Sequence, residues 1–231
     1  MRNSPNQLGN NMFIINCKNY NEIAGDKIIK IAKTAEKISR KYKIPIAIAP
    51  PHHLIPLITK FKITILAQHM DDKKVGSTTG FMVPEIVKKS KIDGSIINHS
   101  EHRISEKEIK SLVKRLQKLK LKTVLCVKNV NEAKKYAKLN PTFIAIEPPE
   151  LIGTGRAIST ERPALITNAV QAVKNARNST KLLCGAGIVS GQDVSKAKEL
   201  GSKGILVASG IVKAKNWEKI ISEFCKGLKS Q

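Results

Sequence analysis

Short apolar runs recur along the chain, separated by segments in which apolar residues return every three or four positions. The runs hold few polar residues, which is typical of parallel strands covered on both faces. We predict strands at 12–16, 44–50, 63–68, 94–98, 122–127, 143–147, 181–185 and 204–209.

The segments between these runs follow the periodicity of amphipathic helices. In the first of them, Ile28, Ile31, Ala35 and Ile38 would share one face. Gly201 follows the fourth and is a residue type that favours a helix end. We predict helices over 28–42, 109–119, 165–176, 194–200 and 217–224.

Strand and helix alternate without a linker rich in Pro, Gly or Ser. This order predicts an α/β fold, a closed (β/α)8 barrel of eight parallel strands with outer helices. A doubly wound open sheet is the alternative. We assign 12–231 to one barrel domain and 1–11 to a short N-terminal extension. The extension lacks the apolar core of a secretion signal, and no apolar run is long enough to span a membrane.

The formal net charge of +23 raises the question of a nucleic-acid partner, because a basic surface attracts phosphate backbones. Only seven of the 41 basic residues are Arg, and aromatic residues make up 4% of the chain. The lysines fall on helix-like segments such as 27–43. We therefore expect solvated helix faces that attract small anions, and no specific nucleic-acid partner.

The four cysteines are widely spaced and form no CxxC motif. Cys17, Cys126 and Cys184 lie in or beside apolar runs, the usual setting of a small buried side chain. We expect reduced thiols, a cytoplasmic protein and no metal site.

Chemistry in a parallel barrel lies at the carboxyl ends of the strands. Asn16 and Lys18 follow the first run, His99 follows the fourth and Glu147 ends the sixth. Glu147 is the strongest candidate, since a buried carboxylate without a partner is costly. His99 alone could be a rim histidine, and Lys18 is one of 34 lysines. We assign the other four histidines to structural or surface positions, and Glu150 to the surface.

Three small-residue turns follow the last three strands: GTG at 153–155, GAG at 185–187 and ASG at 208–210. Each is compatible with an ordinary turn. Together they would offer backbone N–H groups to a phosphate, and loops after strands 7 and 8 are a frequent phosphate site in this architecture.

Five motifs in order resemble the triosephosphate isomerase family: NCK (16–18), NHSEHR (98–103), EPPELIGTG (147–155), CGAGI (184–188) and LVASG (206–210). AQHMD (67–71) and GSTTG (76–80) match the third loop of that family. The wording of EPPELIGTG and CGAGI is similar to the archaeal type. The resemblance implies a TIM barrel that interconverts D-glyceraldehyde 3-phosphate and dihydroxyacetone phosphate through an enediolate.

The resemblance also implies roles for single residues. Glu147 would be the base and His99 a neutral electrophile; this family is itself the standard worked example of that pairing, so the roles are borrowed from it. Lys18 and Asn16 would face the developing oxyanion. Glu101 matches an acid near the lysine, with Ser100 beside it. Phosphate would be held by Ile152, Gly153, Gly187, Ala208 and Ser209.

Residues 148–155 would form a lid, stiff at Pro148–Pro149 and mobile at its glycines. No metal or organic cofactor is implied. The third loop of the family reaches into a second subunit, so we expect a homodimer. A homotetramer is the alternative, disfavoured by Lys134, Lys135 and Lys138 on the helix after strand 5. The second-best interpretation among enzymes is another phosphate-handling barrel, a sugar-phosphate lyase or epimerase. The alternative outside enzymes is a nucleic-acid-binding protein built on an inactive barrel.

Overall fold

The computed structural model describes residues 11–229. The eight predicted strands are all found in this part of the chain, with ends shorter by up to two residues. They are β1 (Met12–Asn16), β2 (Ile46–Ala49), β3 (Thr64–Ala67), β4 (Gly94–Ile97), β5 (Lys122–Val127), β6 (Phe143–Ile146), β7 (Lys181–Cys184) and β8 (Gly204–Val207).

The strands form a closed parallel barrel in chain order, so the predicted architecture is confirmed and the open sheet is wrong. β1 closes the barrel by pairing with both β2 and β8: Phe13 lies beside Ile46 on one side and Ile205 on the other. All eight carboxyl ends therefore meet at one face. The predicted extension lies outside the described residues, except for Asn11.

The helices pack around the barrel. The five predicted from periodicity are confirmed, and a further one follows β5. Four more have only four residues each, too short to show a helical period. The helices are α1 (Lys27–Tyr42), α2 (Ile55–Ile58), α3 (Pro84–Val87), α4 (Glu106–Lys118), α5 (Val130–Ala137), α6 (Ile158–Glu161), α7 (Pro163–Lys174), α8 (Gly191–Glu199), α9 (Ser209–Val212) and α10 (Trp217–Lys229).

Two apolar layers hold the structure together, because alternate strand residues point to opposite faces. Small and medium side chains such as Ile14, Ala47 and Ala145 fill the inside of the barrel. The residues between them, such as Ile15, Ile48 and Ile146, pack against the helices. The inward series of β6, Phe143 and Ala145, continues to position 147, which sets the direction of the first candidate side chain.

Local signals fix the helix ends. Ser105 caps α4 and Glu108 bonds back to it, so both form a capping box. Ser190 and Asp193 form the same box on α8. Over residues 11–229, the structure contains no helix with the length and apolar character needed to cross a membrane.

Candidate active site

Glu147 stands at the carboxyl end of β6 and turns into the mouth of the barrel. Its backbone N–H donates to the carbonyl of Val127 at 2.9 Å, which extends the β5–β6 pairing by one residue. The residue is only 5% exposed. Its Oε2 is buried and has no hydrogen-bond partner among the described residues. A buried carboxylate oxygen without a donor is expensive, so this oxygen is available to a ligand.

Gly185, directly after β7, makes room for the Glu147 side chain. A Cβ at position 185 would overlap the Cγ of Glu147. The glycine of the CGAGI motif is therefore required by the packing of the carboxylate, whatever its part in the turn.

His99 is directed into the site by an irregular backbone. Asn98 has a φ of 58°, which breaks the alternation of β4 before His99. The Asn98 side chain holds this bend by donating to the carbonyl of Cys126 at 2.9 Å. Positive φ in a residue other than glycine costs free energy and often marks a functional site.

A hydrogen bond indicates which ring nitrogen of His99 carries a hydrogen. The backbone N–H of Glu101 donates to Nδ1 at 3.2 Å, so Nδ1 is an acceptor and carries no hydrogen. In a neutral imidazole the hydrogen is then on Nε2. Nε2 lies 3.7 Å from Oε2 of Glu147, across the bottom of the site.

Lys18 completes the polar group. It also has positive φ, 45°, and its backbone N–H donates to Oδ1 of Asn16 at 3.1 Å. The side-chain amide of Gln68 donates to the Lys18 carbonyl at 3.1 Å. Nζ lies 2.7 Å from Oε1 of Glu101, and the lysine side chain is 14% exposed whereas that of Glu101 is 58% exposed. The cation is thus held at the edge of the cavity by an acid on its solvent side.

A small cavity of about 50 Å³ joins these side chains to the glycine turns. Gly187 has a φ of 71°, and a Cβ there would overlap the carbonyl oxygen of Arg156, so only glycine fits. Every residue predicted to contact substrate lines this cavity: Asn16, Lys18, His99, Glu147, Ile152, Gly153, Gly187, Ala208 and Ser209.

Comparison with known proteins agrees with this arrangement. The family model described as triosephosphate isomerase matches residues 11–224. The chain belongs to the triosephosphate isomerase family.

Among similar proteins, the triosephosphate isomerase of Cenarchaeum symbiosum is 52% identical over 217 residues, which cover 94% of this chain and 97% of that protein. The triosephosphate isomerase of Methanocaldococcus jannaschii is 43% identical over 93% of this chain and 99% of its own length. That of Methanothermus fervidus is 39% identical over 92% and 96% respectively. These relatives come from archaea, which agrees with the archaeal type expected from the motifs.

The segment after Glu147, residues 148–155, combines one short turn with two glycines in positive φ. Residues Pro149–Leu151 form a single 3-10 turn, and Leu151 is buried. Glu150 is exposed, as predicted, and its carboxylate lies 2.7 Å from the guanidinium of Arg162. Gly153 and Gly155 both have φ near 75°. The first half of the segment is therefore restrained by two prolines and an ion pair. The second half contains two glycines, whose backbone can rotate easily.

Two thiols lie close to the carboxylate of this family member. Burial raises the pKa of Cys126 well above its ordinary value, and the nearby Glu147 raises it further. Burial and Glu147 also raise the pKa of Cys184. All four cysteines are buried and free. Because a thiol with a raised pKa is a poor nucleophile, these residues act as apolar packing.

A second cavity of about 650 Å³ adjoins the first at Asn16, Lys18 and His99. Sequence reasoning missed this cavity, because His52, His69 and His102 come from three separate loops. Nε2 of His52 accepts hydrogen bonds from the backbone of Gln68 and His69 at 3.2 and 3.3 Å. The rings of His69 and His102 stack with their centroids 3.8 Å apart. Burial lowers the pKa of His52 and His69, so both stay neutral near pH 7. Within residues 11–229, no three His, Cys, Asp or Glu side chains are grouped to hold a metal ion.

The two remaining predicted residues lie outside the first cavity. Glu101 lies behind Lys18 and lines only the second cavity. Ser100 follows His99, and its Oγ is buried without a partner among the described residues. Tyr20 and Gly155 line the first cavity and were not predicted; Gly155 could have been found from the GTG turn, whereas nothing in the sequence marks Tyr20.

Proposed function

We propose that this chain interconverts D-glyceraldehyde 3-phosphate and dihydroxyacetone phosphate, with Glu147, His99 and Lys18 as its catalytic residues. The observation that carries the proposal is the pair of groups at the bottom of the cavity. A buried carboxylate oxygen without a partner faces the nitrogen of an imidazole whose other nitrogen already accepts a hydrogen bond. A base and a neutral donor are therefore set side by side.

In the proposed reaction, Glu147 takes a proton from the carbon next to the carbonyl and returns it to the neighbouring carbon. The electron pair of the broken C–H bond moves into the carbonyl and gives an enediolate, which is neutralised when the proton returns. The position favours this role, since Oε2 of Glu147 is buried and has no hydrogen-bond partner among the described residues.

His99 would serve the oxygens while Glu147 serves the carbons. Its Nε2–H donates to the carbonyl oxygen and then passes a proton between the two oxygens. Lys18 and the Asn16 side chain are suited to stabilise the developing negative charge, because a fixed cation and a fixed dipole need no reorganisation during the reaction. The ion pair with Glu101 keeps Nζ of Lys18 at the cavity edge.

The phosphate of the substrate would lie against the backbone of the small-residue turns. Ile152, Gly153, Gly187, Ala208 and Ser209 come from three loops on one side of the cavity. Where the side chain is small or absent, backbone N–H groups reach an anion at close range. Binding there would place the two reacting carbons within reach of both Glu147 and His99.

Closure of the lid would exclude water. An enediolate with a phosphate on the next carbon loses that phosphate readily in water, so exclusion protects the intermediate. The glycines at 153 and 155 provide the backbone rotation for such a movement.

We also infer that the chain self-associates as a homodimer. The loop between β3 and α3 (68–83) is tied at its stem by Arg115, whose guanidinium lies 2.6 Å from both Asp72 and Glu85. Its exposed part carries two apolar side chains, Val75 and Phe81, which are 56% and 45% exposed. The cavity beside Lys18 would receive this part of the loop from a second copy, and a two-fold arrangement would satisfy both copies at once.

A homotetramer is less compatible with the surface of α5. Lys134 and Lys138 are exposed there, and Lys135 pairs with Glu106 of α4. Burying these charges between subunits would cost desolvation free energy. We propose a single barrel domain over 12–231 and a cytoplasmic location.

A coupled assay tests the proposed activity. The purified chain is given glyceraldehyde 3-phosphate, and dihydroxyacetone phosphate is detected by its reduction with NADH and glycerol-phosphate dehydrogenase. Turnover at an ordinary enzymatic rate supports the proposal. Absence of turnover overturns it, and turnover of a larger sugar phosphate instead would favour the lyase or epimerase alternative.

A further inference from the structure

Charge is distributed unevenly between the two ends of the barrel. Seven connections carry the chain from a helix into β2–β8: 43–45, 59–63, 88–93, 119–121, 138–142, 175–180 and 200–203. We call the surface they form the amino-terminal face, because they precede the strands and lie at the end opposite the candidate active site. These connections hold ten basic residues, at least one in each, and a single acid, Asp93.

A single acid stands among the ten cations of this face. Oδ2 of Asp93 accepts a hydrogen bond from the backbone of Ile65 at 2.8 Å, so part of its charge is directed inward. Burial lowers the pKa of Lys122, the first residue of β5; Asp93 opposes that shift and the nearby Lys88 adds to it. With ten cations and one acid, the face keeps a net positive charge.

Several of these cations form no ion pair within residues 11–229. Lys43, Lys60, Lys62, Lys120 and Lys203 are exposed. Over residues 11–229, the ion pairs of the structure involve none of these five. They are thus available to an external anion.

The backbone gives an independent sign that these side chains are unusual. Four basic residues follow helices or a 3-10 turn in the left-handed conformation: Lys43, Lys91, Lys120 and Arg177, with φ between 53° and 59°. Glycine or asparagine is the ordinary choice at such positions, and another residue costs about 1 kcal/mol. Asn140 fills the corresponding position before β6 with φ of 55°.

The attraction of basic residues to helix dipoles explains only part of this excess of positive charge. Basic residues in the last turn of a helix are stabilised by its carboxyl-terminal partial charge. The connections at the other end of the barrel have no such excess, since they contain Glu22, Asp26, Asp71, Asp72, Glu101, Glu147 and Glu150. The expectation that the lysines belong to helix faces is therefore incomplete: a concentrated group lies in the helix-to-strand connections.

We propose that the amino-terminal face binds the phosphate backbone of nucleic acid without sequence preference. An extended polyanion contacts many lysines at once, and each neutralised phosphate releases a counterion. A lipid surface fits less well. Interfacial binding needs apolar side chains, and the exposed large apolar residues of the described chain, Leu57, Val75, Phe81, Ile86 and Val189, lie outside these connections. Recognition of bases is not involved, so the expectation of no specific nucleic-acid partner stands.

Binding at this face is independent of the proposed isomerase activity. The candidate active site opens at the carboxyl ends of the strands, so a polyanion on the amino-terminal face leaves it free. The two functions can therefore be tested separately on the same variants.

The test uses a fluorescein-labelled DNA duplex of mixed sequence, about 20 base pairs long, and follows anisotropy at about 50 and about 200 mM salt. If about four phosphates are neutralised, the unmodified chain should lose about 100-fold in affinity between these salt concentrations. The test variant carries Lys43→Asn, Lys91→Asn, Lys120→Asn and Arg177→Asn. This variant should bind the duplex at least about 10-fold more weakly at the lower salt concentration and show a shallower dependence of affinity on salt.

A matched control removes the same charge from outer helix faces: Lys30→Gln, Lys33→Gln, Lys114→Gln and Lys219→Gln. It should retain binding within about threefold, and both variants should keep the isomerase kcat of the unmodified chain. The asparagine set suits left-handed backbone; should it not fold, glycine at the same four positions serves in its place.

Three results would overturn the proposal. One is no duplex binding by the unmodified chain at the lower salt concentration. Another is equal weakening in both variants, which would mean a general effect of net charge. The third is tighter binding to phosphatidylserine vesicles than to the duplex, which would assign the face to a membrane surface.

Discussion

At the scale of single residues, the backbone decides the protonation of the candidate electrophile. The N–H of Glu101 points at Nδ1 of His99, with 3.2 Å between the two nitrogens, so a hydrogen on Nδ1 would meet this N–H. Of the two neutral tautomers, the one with its hydrogen on Nε2 is therefore favoured, and Nε2 faces Glu147. Residue identity alone does not reveal this choice, since either nitrogen of a histidine can carry the proton.

We expect Glu147→Asp to lower kcat by about 100-fold or more without unfolding the chain. Loss of one methylene withdraws the carboxylate by about 1 Å, and a displacement of that size is enough to cost two orders of magnitude. The coupled assay measures kcat, and circular dichroism measures the melting temperature. Glu150→Asp, the same change on an exposed lid acid, should be near normal. Near-normal activity of Glu147→Asp would contradict the assignment of the base.

We expect Gly185→Ala to lower both the melting temperature and kcat, because its Cβ would overlap the Cγ of Glu147. The reason can be isolated with Glu147→Ala, which removes that Cγ. In the Glu147→Ala background the alanine at 185 should destabilise the chain much less, so the two changes should be non-additive in thermal unfolding. Additive effects would mean that the glycine is needed only for its turn.

At the scale of elements, the segment proposed as the lid has a half stiffened by prolines and a half that contains two glycines. Pro148 has φ of −62° and the following 3-10 turn begins with a second proline, so the first half has little freedom. Gly153 and Gly155 occupy positive φ, and a Cβ on either would meet open space. These glycines are therefore a matter of backbone conformation rather than of packing, as a hinge requires.

We expect deletion of residues 150–152 to increase the release of methylglyoxal together with inorganic phosphate. The shortened lid would leave the enediolate open to water, where elimination of phosphate competes with return of the proton. Methylglyoxal is measured as a fraction of total product. Glu150→Gln, which only removes the ion pair with Arg162, should change that fraction little. An unchanged fraction after the deletion would exclude the protective role of the lid.

At the scale of the whole molecule, the candidate site is open on one side. The second cavity beside Lys18 is lined by polar and aromatic groups, and the exposed part of the β3–α3 loop carries apolar side chains. Exposed apolar groups on a loop whose stem is held by ion pairs indicate a docking element. In a dimer, the loop of each copy would cover the cavity of the other, so one kind of contact would bury both the apolar loop and the open side of the site.

We expect light scattering to give the mass of a dimer, and Val75→Asp to shift it to a monomer. A charge introduced at the centre of an apolar contact opposes association. The monomer should be less active, because Lys18 would lose the neighbour that closes its cavity. Ala164→Asp, an exposed position on α7, should leave the mass unchanged. A stable tetramer at low concentration would refute the dimer.

The sequence by itself determined the barrel and most of the site. Eight apolar runs of strand length, separated by amphipathic helices, favour a closed parallel barrel; a doubly wound open sheet meets the same pattern, and only the structure excludes it. The site residues follow because they stand directly after those runs. The short helices could not be found, since four residues do not complete two turns and carry no period.

Tertiary structure decided how those residues act. Asn98 and Lys18 take left-handed backbone conformations that their types do not predict, and these turn His99 and the lysine into the cavity. Gly185 makes room for the side chain of Glu147, a contact between the ends of the neighbouring strands β6 and β7. Ten of the basic residues lie in the connections at one end of the barrel, a grouping that only the closed fold makes visible. Local pattern specifies the elements, whereas directions, contacts and the sum of charges exist only after the barrel has closed.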